Sequence, residues 1–377
     1  MRVLAIVPGI YDTSPGQRYR IEQWEPLLRE RGVEISYEPF ECKDLNSIVH
    51  RPGMLGRKAQ LVARSMARRF NALKRVKDFD LVYIFREAAL LGPPIFERLI
   101  DRSGVPVVFD FDDAIFISYR SPSNGYLSYL KFANKTKTIC RLASHVMVGN
   151  PYLAEYASQV NPNVTVIPTT IDTEKYKVLE MENHSGTPVI GWTGSFSTAQ
   201  HLDTLRTTLQ KLAAVEPFRL RVIGATDYAI EGVQVDTIRW TSEREVQDLE
   251  GIDIGIMPLP DDNWTKGKCG LKALQFMALG IPTVLSPIGV NKEIIQDNQN
   301  GLQAANESEW IEKLSRLLRS KELRKRLGRA GRKTVEEKYS AITQAPRVYD
   351  IFRSVLRGSV PVASSIQSHS AGARFPG

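Results

Sequence analysis

The sequence predicts an α/β protein built of two doubly wound units in series, each a mostly parallel sheet covered by helices on both faces. Three observations carry this expectation. Short apolar runs alternate with amphipathic stretches of helical period from Arg2 to Ser340, the pattern of strands buried on both faces by crossover helices. The alternation occurs twice, and the polar, irregular stretch "TTIDTEKYKVLEMENHSGTP" lies between its two rounds. A chain of 377 residues, 42% hydrophobic and 24% charged, suits two globular domains rather than one.

The elements follow in order. "RVLAIVP" is a strand, "RYRIEQWEPLLRERG" a helix closed by Gly32, and "VEISYEPF" a second strand. The basic segment 51–77 comes next, then strand "DLVYIF", helix "GPPIFERLIDRSG" and strand "VPVVFDFDD". A helical region through "YLSYLKFANKTKTICRLAS", strand "HVMVGN" and the short "VTVIPTTID" complete the first round. The second opens with strand "PVIGWTGS" and helix "AQHLDTLRTTLQKLAA". Strands "FRLRVIG" and "VQVDTIRW", helix "SEREVQDLEG" and strand "IDIGIMPL" follow. A Gly/Lys-rich turn then opens a helix that leads to strand "IPTVLSP". Two charged amphipathic helices, "NESEWIEKLSRLLRS" and "SKELRKRLGRAGRKTVEEKYS", end the round. The tail 358–377 is small, polar and punctuated by Pro and Gly, the composition of a disordered segment.

Composition excludes several classes. Cys42, Cys140 and Cys269 are odd in number and far apart, which is neither a disulfide framework nor a metal spacing. His50, His145, His184, His201 and His369 form no Ser-His-Asp or zinc pattern and stand in unpromising contexts. "MRVLAIVPG" reads as a first buried strand rather than a signal segment. No stretch approaches the ~18 uncharged apolar residues of a membrane span. The expectation is a cytoplasmic protein. The net charge of +8 is concentrated in 51–77, which holds nine basic residues and no acid. With Leu61, Met66, Phe70 and Leu73 at roughly helical spacing, Arg57, Lys58, Arg64, Arg68 and Arg69 mark a face for an anionic membrane surface. No nucleic-acid motif accompanies the charge, so no nucleic-acid partner is expected. Solvated charge on an ordinary helix is the plainer alternative.

The stretch "KGKCGLKALQFMALGIPTVLS" carries the clearest chemistry. Lys266, Lys268 and Lys272 crowd a helix start, where the helix dipole already places positive charge. Gly267 and Gly270 let a ligand approach the unbonded backbone N–H groups there. Lys268, Lys272 and Gln275 share one helix face. An anion with two or more charges, such as a diphosphate, fits that arrangement.

"GLKALQFMALGIPTVLSPIGVNKEIIQDNQNGLQA" closely resembles the C-terminal signature of GT-B-fold retaining glycosyltransferases of family 4 (glycosyl transferases group 1). The matching elements are "LQFMALG", the proline-led strand "IPTVLS", Gly289, "EII" and "NGL", in that order. "VIPTTID" resembles that family's crossover between domains, and "GWTGS" its first C-domain strand and turn. The resemblance covers about Pro151 to Tyr339. It implies a GT-B architecture, two Rossmann-like domains facing a central cleft. The implied parts are an acceptor-binding domain 1–168, a nucleotide-sugar-binding domain 169–340 and a return helix 341–357. It also implies a hexosyltransferase-type enzyme, retaining and metal-independent. That enzyme has no cofactor, uses a nucleoside-diphosphate sugar as donor, and accepts on a saccharide or lipid-linked saccharide of an envelope polysaccharide. The cellular place implied is the cytoplasm, peripheral at the inner face of the membrane. In such enzymes the acceptor hydroxyl attacks from the leaving-group face.

By the same resemblance, the diphosphate loop falls on Lys268, Cys269, Gly270 and Leu271, with Lys272 beside it. The family's two signature glutamates fall on Gly267 and Gln275, so both acids are absent. Gly194 and Ser195 occupy the turn where the family often carries a basic residue. Trp240 and Thr241 stand where the base lies. In the first unit, Gly9 permits close approach after the first strand, and Arg18 and Arg20 could reach a phosphate. Asp112 and Asp113 read as acids that position or deprotonate the acceptor hydroxyl. "DFD" offers another reading, in which Asp110 and Asp112 ligate a metal in a GT-A-like transferase. A non-catalytic sugar-nucleotide-binding protein also stays open. A dehydrogenase lacks its GxGxxG.

Overall fold

A computed structural model of the chain describes residues 1–49, 53–118, 130, 132–178, 186–195 and 198–358. The expected tail, three of the histidines (50, 184 and 369) and parts of the 126–144 and 169–188 stretches lie outside the described residues. The chain divides into two compact units, Met1–Pro168 with the segment from Gln344, and Thr169–Thr343.

The first unit is built on strands β1 (Arg2–Val7), β2 (Glu34–Pro39), β3 (Leu81–Phe85), β4 (Val107–Phe111), β5 (His145–Val148) and β6 (Val164–Val166). They lie side by side in the order β2-β1-β3-β4-β5-β6, every pair parallel. Burial follows from that order. All residues of β3, β4 and β5 are buried, whereas β2 and β6, at the two edges, are partly open. The last described helix, Ala341–Leu356, completes this core by placing the Phe352 ring 6.2 Å from that of Tyr83.

The second unit holds β7 (Val189–Thr193), β8 (Arg219–Ile223), β9 (Val235–Ile238), β10 (Ile254–Met257), β11 (Thr283–Leu285) and β12 (Leu302–Gln303). Their order is β12-β11-β10-β7-β8-β9, again wholly parallel. Ile190 of β7 lies opposite Leu220 on one side and Ile254 on the other. These residues form a core with Trp192, Leu209, Val284, Trp310 and Leu314. Each sheet reverses its winding beside its first strand, between β1 and β3 and between β7 and β10. Crevices at the carboxyl ends of such strand pairs are where open parallel sheets hold ligands.

Three helices differ from the pattern. The helix expected over 18–32 is broken at Arg20 (φ −124°, ψ −113°) and becomes regular only over Gln23–Arg29. Arg20 leaves the helical path because its side chain is drawn inward to a buried carboxylate. The helix expected over 242–251 is reduced to one 3-10 turn, Gln247–Leu249. Glu245 turns inward there to meet Gln275 at 3.2 Å. The stretch 199–214 forms two helices, Ala199–Asp203 and Arg206–Ala213, rather than one.

Candidate functional site

The second unit places its chemistry where its sheet reverses. The turn after β7 has no room for a side chain. A Cβ at Gly194 would lie 2.5 Å from the Trp192 ring, 2.6 Å from Lys272 Nζ and 2.7 Å from Thr198 Oγ1. Gly224, which follows β8, packs directly on the Gly194 carbonyl, with Trp240 Cβ close by. The turn "PDDNWTKGKCG" is held from behind. Asp262 caps the short helix Asn263–Lys266 by accepting from Thr265 N at 2.7 Å. Gly270, in the left-handed region (φ 73°), opens the helix Leu271–Ala278.

That helix carries Lys272 back to the β7 turn. Its Nζ donates to Thr198 Oγ1 at 3.3 Å and lies 4.3 Å over the buried Trp192 ring. Burial, and then the like charge of Lys268, pull the Lys272 ammonium down to about 7. Lys268 Nζ lies 4.9 Å over the Trp264 ring. Residues 263–292 contain no acid. Asp261 pairs with Lys266 at 3.2 Å, and the turn gathers the ammonium groups of Lys268 and Lys272 with helix-start amides, which is the electrostatics of an anion site.

The structure thus brings together Gly194, Ser195, Trp240, Lys268, Cys269, Gly270, Leu271 and Lys272. Ser195 N donates to Thr198 Oγ1 at 3.0 Å. Trp240 and Thr241 are half-buried beyond the end of β9. Gln275 sits deeper. It is 5% exposed, and its Nε2 donates to Tyr176 Oη at 2.7 Å and to Glu245 Oε1 at 3.2 Å.

Sequence reasoning missed three neighbours. His201 is 7% exposed. Burial and the adjoining Lys272 and Lys268 pull it down to about 4, against the pull of Asp262. The other two are Trp192 and Trp264, the rings beneath the lysines. "GWTGS" and "NWTKGK" each set an aromatic ring close to the turn in sequence, which was the available signal.

The first unit behaves differently. Asp110 is fully buried. Arg20 Nε and Nη2 donate to it at 2.9 and 2.5 Å, and Tyr83 Oη at 2.5 Å. Arg20 Nη1 donates to the Ile167 carbonyl. Both residues therefore brace the unit, and the expectations that Arg20 reaches a phosphate and that Asp110 ligates a metal are corrected. Arg18 pairs with Asp12 at 2.6 Å, and Gly9 N donates to Gln17 Oε1 at 3.1 Å.

Asp112 accepts from Arg86 Nε at 2.7 Å. Arg86 follows β3 with a left-handed backbone (φ 58°), a strained conformation for a side-chain-bearing residue. A Cβ at Gly16 would lie 2.7 Å from Arg86 Nη2 and 2.9 Å from Asp112 Oδ2. Arg86 was also missed, although a cation directly after an apolar strand was visible. Asp113 Oδ1 accepts from Ala114 N at 3.0 Å, a local turn contact. Among the described residues, no three His, Cys, Asp or Glu side chains are grouped to hold a metal.

On the basic helix, Leu55–Leu73, two of the five expected surface cations are internal. Arg69 is 2% exposed and donates to the carbonyls of Ala88, Glu38 and Val7. Lys58 is 8% exposed. Both lie on the helix face that packs inward with Leu61 and Ala72, so they cannot meet a membrane. Arg57, Arg64 and Arg68 are exposed, although Arg68 also donates to the carbonyls of Pro39, Phe40 and Glu41.

Two doubly wound units, each on a wholly parallel sheet and the second with an anion-ready turn where its sheet reverses, share the GT-B fold. Over residues 187–320, which lie within the second unit, the chain matches the family of glycosyl transferases group 1. Solved structures share the fold at low identity. Sucrose-phosphate synthase from Thermosynechococcus elongatus is 14% identical with a TM-score of 0.69, covering 95% of this chain and 100% of that one. HepE of Anabaena, solved with UDP, is 13% identical with a TM-score of 0.63, covering 94% and 100%. The lipopolysaccharide outer core galactosyltransferase WaaB is 13% identical with a TM-score of 0.60, covering 95% and 99%. No protein of curated function matches the sequence. The GT-B fold sets aside the GT-A-like alternative.

Proposed function

We propose that the second unit holds a nucleoside-diphosphate sugar at the 268–272 turn and that the first unit receives a saccharide or lipid-linked saccharide acceptor of an envelope polysaccharide. The observation that carries the donor site is the Lys272 ammonium, half-buried at the sheet reversal, depressed to about 7 and beside a second lysine. A diphosphate would restore its charge. Lys268, Lys272 and the amides of the turn would then stabilise the leaving diphosphate, where negative charge grows in the transition state. The UDP of the HepE structure and the lipopolysaccharide role in the WaaB name support the donor and acceptor classes. Asp112 and Asp113, at the end of β4, are proposed to position the acceptor hydroxyl. Arg86 holds Asp112 in place for it.

Retention of configuration and independence of a metal or other cofactor belong to the same proposal. The first rests on the family resemblance. The second is supported by Asp110, which is enclosed by Arg20 and Tyr83 and so cannot share a cation with Asp112. A cytoplasmic location with peripheral contact at the inner face of an anionic membrane is proposed from the exposed cations of helix Leu55–Leu73.

The test is a thermal-shift panel with UDP, GDP, ADP, dTDP and NAD, each with and without EDTA. One nucleoside diphosphate should raise the midpoint, and EDTA should leave that rise intact. Stabilisation that vanishes with EDTA removes metal independence. Stabilisation by NAD alone removes the transferase proposal.

A further inference from the structure

The outward face of helix Leu55–Leu73 is apolar on one side. Lys58, Leu61, Ser65, Arg69 and Ala72 form its buried face, so the opposite face should be polar in a protein surrounded by water. Beside exposed Gln60 and Asn71, the exposed side carries Leu55, 51% exposed, and Phe70, 48% exposed. Exposed Ala59, Ala63 and Ala67 lie between them. Phe70 packs on Phe96 with the rings tilted by 58° and their centroids 4.7 Å apart, and Ile95, next to Phe96 in sequence, is 49% exposed. Exposed Met54 extends the strip at the other end. Arg57, Arg64 and Arg68, at spacings of seven and four residues, form a row along the strip's edge.

We infer that this face lies flat on an anionic lipid bilayer, with the Leu55–Phe70 strip sunk among the acyl chains and the arginine row at the phosphates. The inference deepens the peripheral placement proposed above and rests on it, adding apolar insertion to charge attraction. Charge selects the occupant. No acid occurs from 51 to 77, so a second copy packed by twofold symmetry would set arginine row against arginine row. A bilayer offers apolar depth and phosphate charge in the two places the helix presents apolar surface and cations. Among the described residues no helix is long and apolar enough to cross a membrane, so contact from one side is the geometry left to this helix.

The experiment uses the full chain and vesicles of phosphatidylcholine with or without phosphatidylglycerol. Ala63→Trp reports depth, because residue 63 is exposed and the change leaves the buried face intact. Its indole should shift to the blue with phosphatidylglycerol vesicles and be quenched by acyl-brominated lipid. Ala63→Glu/Ala67→Glu should weaken vesicle binding roughly a hundredfold while leaving the nucleotide-induced thermal shift unchanged. Binding that is lost in high salt, with an unquenched indole and an unaffected Glu variant, overturns insertion and leaves peripheral charge contact standing. No binding to any vesicle overturns both. A dimer that the Glu variant dissociates makes the occupant a second copy and overturns the inference as well.

Discussion

Replacing Lys272 by Met should make the unliganded protein more stable and the liganded protein less so. A lysine of ordinary pKa near 10.4 held at about 7 in the fold opposes folding wherever the unfolded chain would be protonated. The cost is fully present below about pH 7 and shrinks as pH rises toward 10. At 1.36 kcal/mol per pK unit it amounts to ~3 kcal/mol at pH 8. The side chain keeps some solvent contact, so about half of that, ~1.5 kcal/mol, is expected to be recovered. Met also retains most of the packing on Trp192. For a unit of this size the gain corresponds to an apparent Tm rise of ~3–6 °C. The same change removes a charge-assisted contact to the diphosphate, worth ~2–3 kcal/mol, so Kd for the nucleotide found in the panel should rise roughly 30- to 150-fold. Thermal denaturation of wild type and variant, each across a nucleotide titration, reads both effects. An unliganded variant that is less stable, with nucleotide affinity unchanged, would refute the reasoning and return Lys272 to the role of a structural cation.

The pH dependence of nucleotide affinity should carry the same signature. The diphosphate prefers the protonated lysine, so wild-type affinity should be greatest below about pH 7 and fall about tenfold per unit above it. Titration calorimetry of Lys272→Met should show that slope flattened; His201, held at about 4, stays neutral over the range. Gly194→Ala puts a methyl 2.6 Å from Lys272 Nζ, and nucleotide binding should weaken roughly tenfold to a hundredfold with little loss of secondary structure by circular dichroism. Asp110→Asn breaks a buried ion pair and should cost ~3–5 kcal/mol in urea denaturation, with nucleotide affinity unchanged. A loss of EDTA-sensitive binding instead would revive a metal role. Gln275→Glu sets a second carboxylate against Glu245. Two such groups cannot both stay ionised, so the Tm deficit should be small near pH 4 and grow as pH rises toward 7.

The sequence was most legible where one physical rule acted alone. Strands β3 and β10 read as uninterrupted apolar runs because both their faces are covered, and "KGKCGLK" read as an anion site because its charge runs against the helix dipole. Long-range pairing was not legible. Nothing local to "RYRIE" tells that Arg20 will meet a carboxylate 90 residues later and break the helix on its way. Nothing local to "SEREVQDLEG" tells that Glu245 will be drawn to Gln275, although the stretch has good helix formers. Arg69 misled for a related reason, since the buried side of a basic helix can be basic when carbonyls from neighbouring segments receive it; Lys58 lies buried on the same face. His201 lay three residues past Thr198, and only the return of Lys272 to that turn makes the two neighbours.

The path of the chain also sets the order in which the units can be finished during synthesis. Residues 169–343 are contiguous, so the second unit is complete as soon as that stretch has left the ribosome. The first unit begins at Met1, yet its core lacks Phe352 until helix Ala341–Leu356 emerges. It must wait, with the place of Phe352 against Tyr83 unfilled, while the whole of the second unit is made. At roughly 5–20 residues per second, that interval is on the order of ten seconds or more. In that interval the first unit's core lacks one aromatic partner, and a message truncated before codon 352 would leave that place empty permanently.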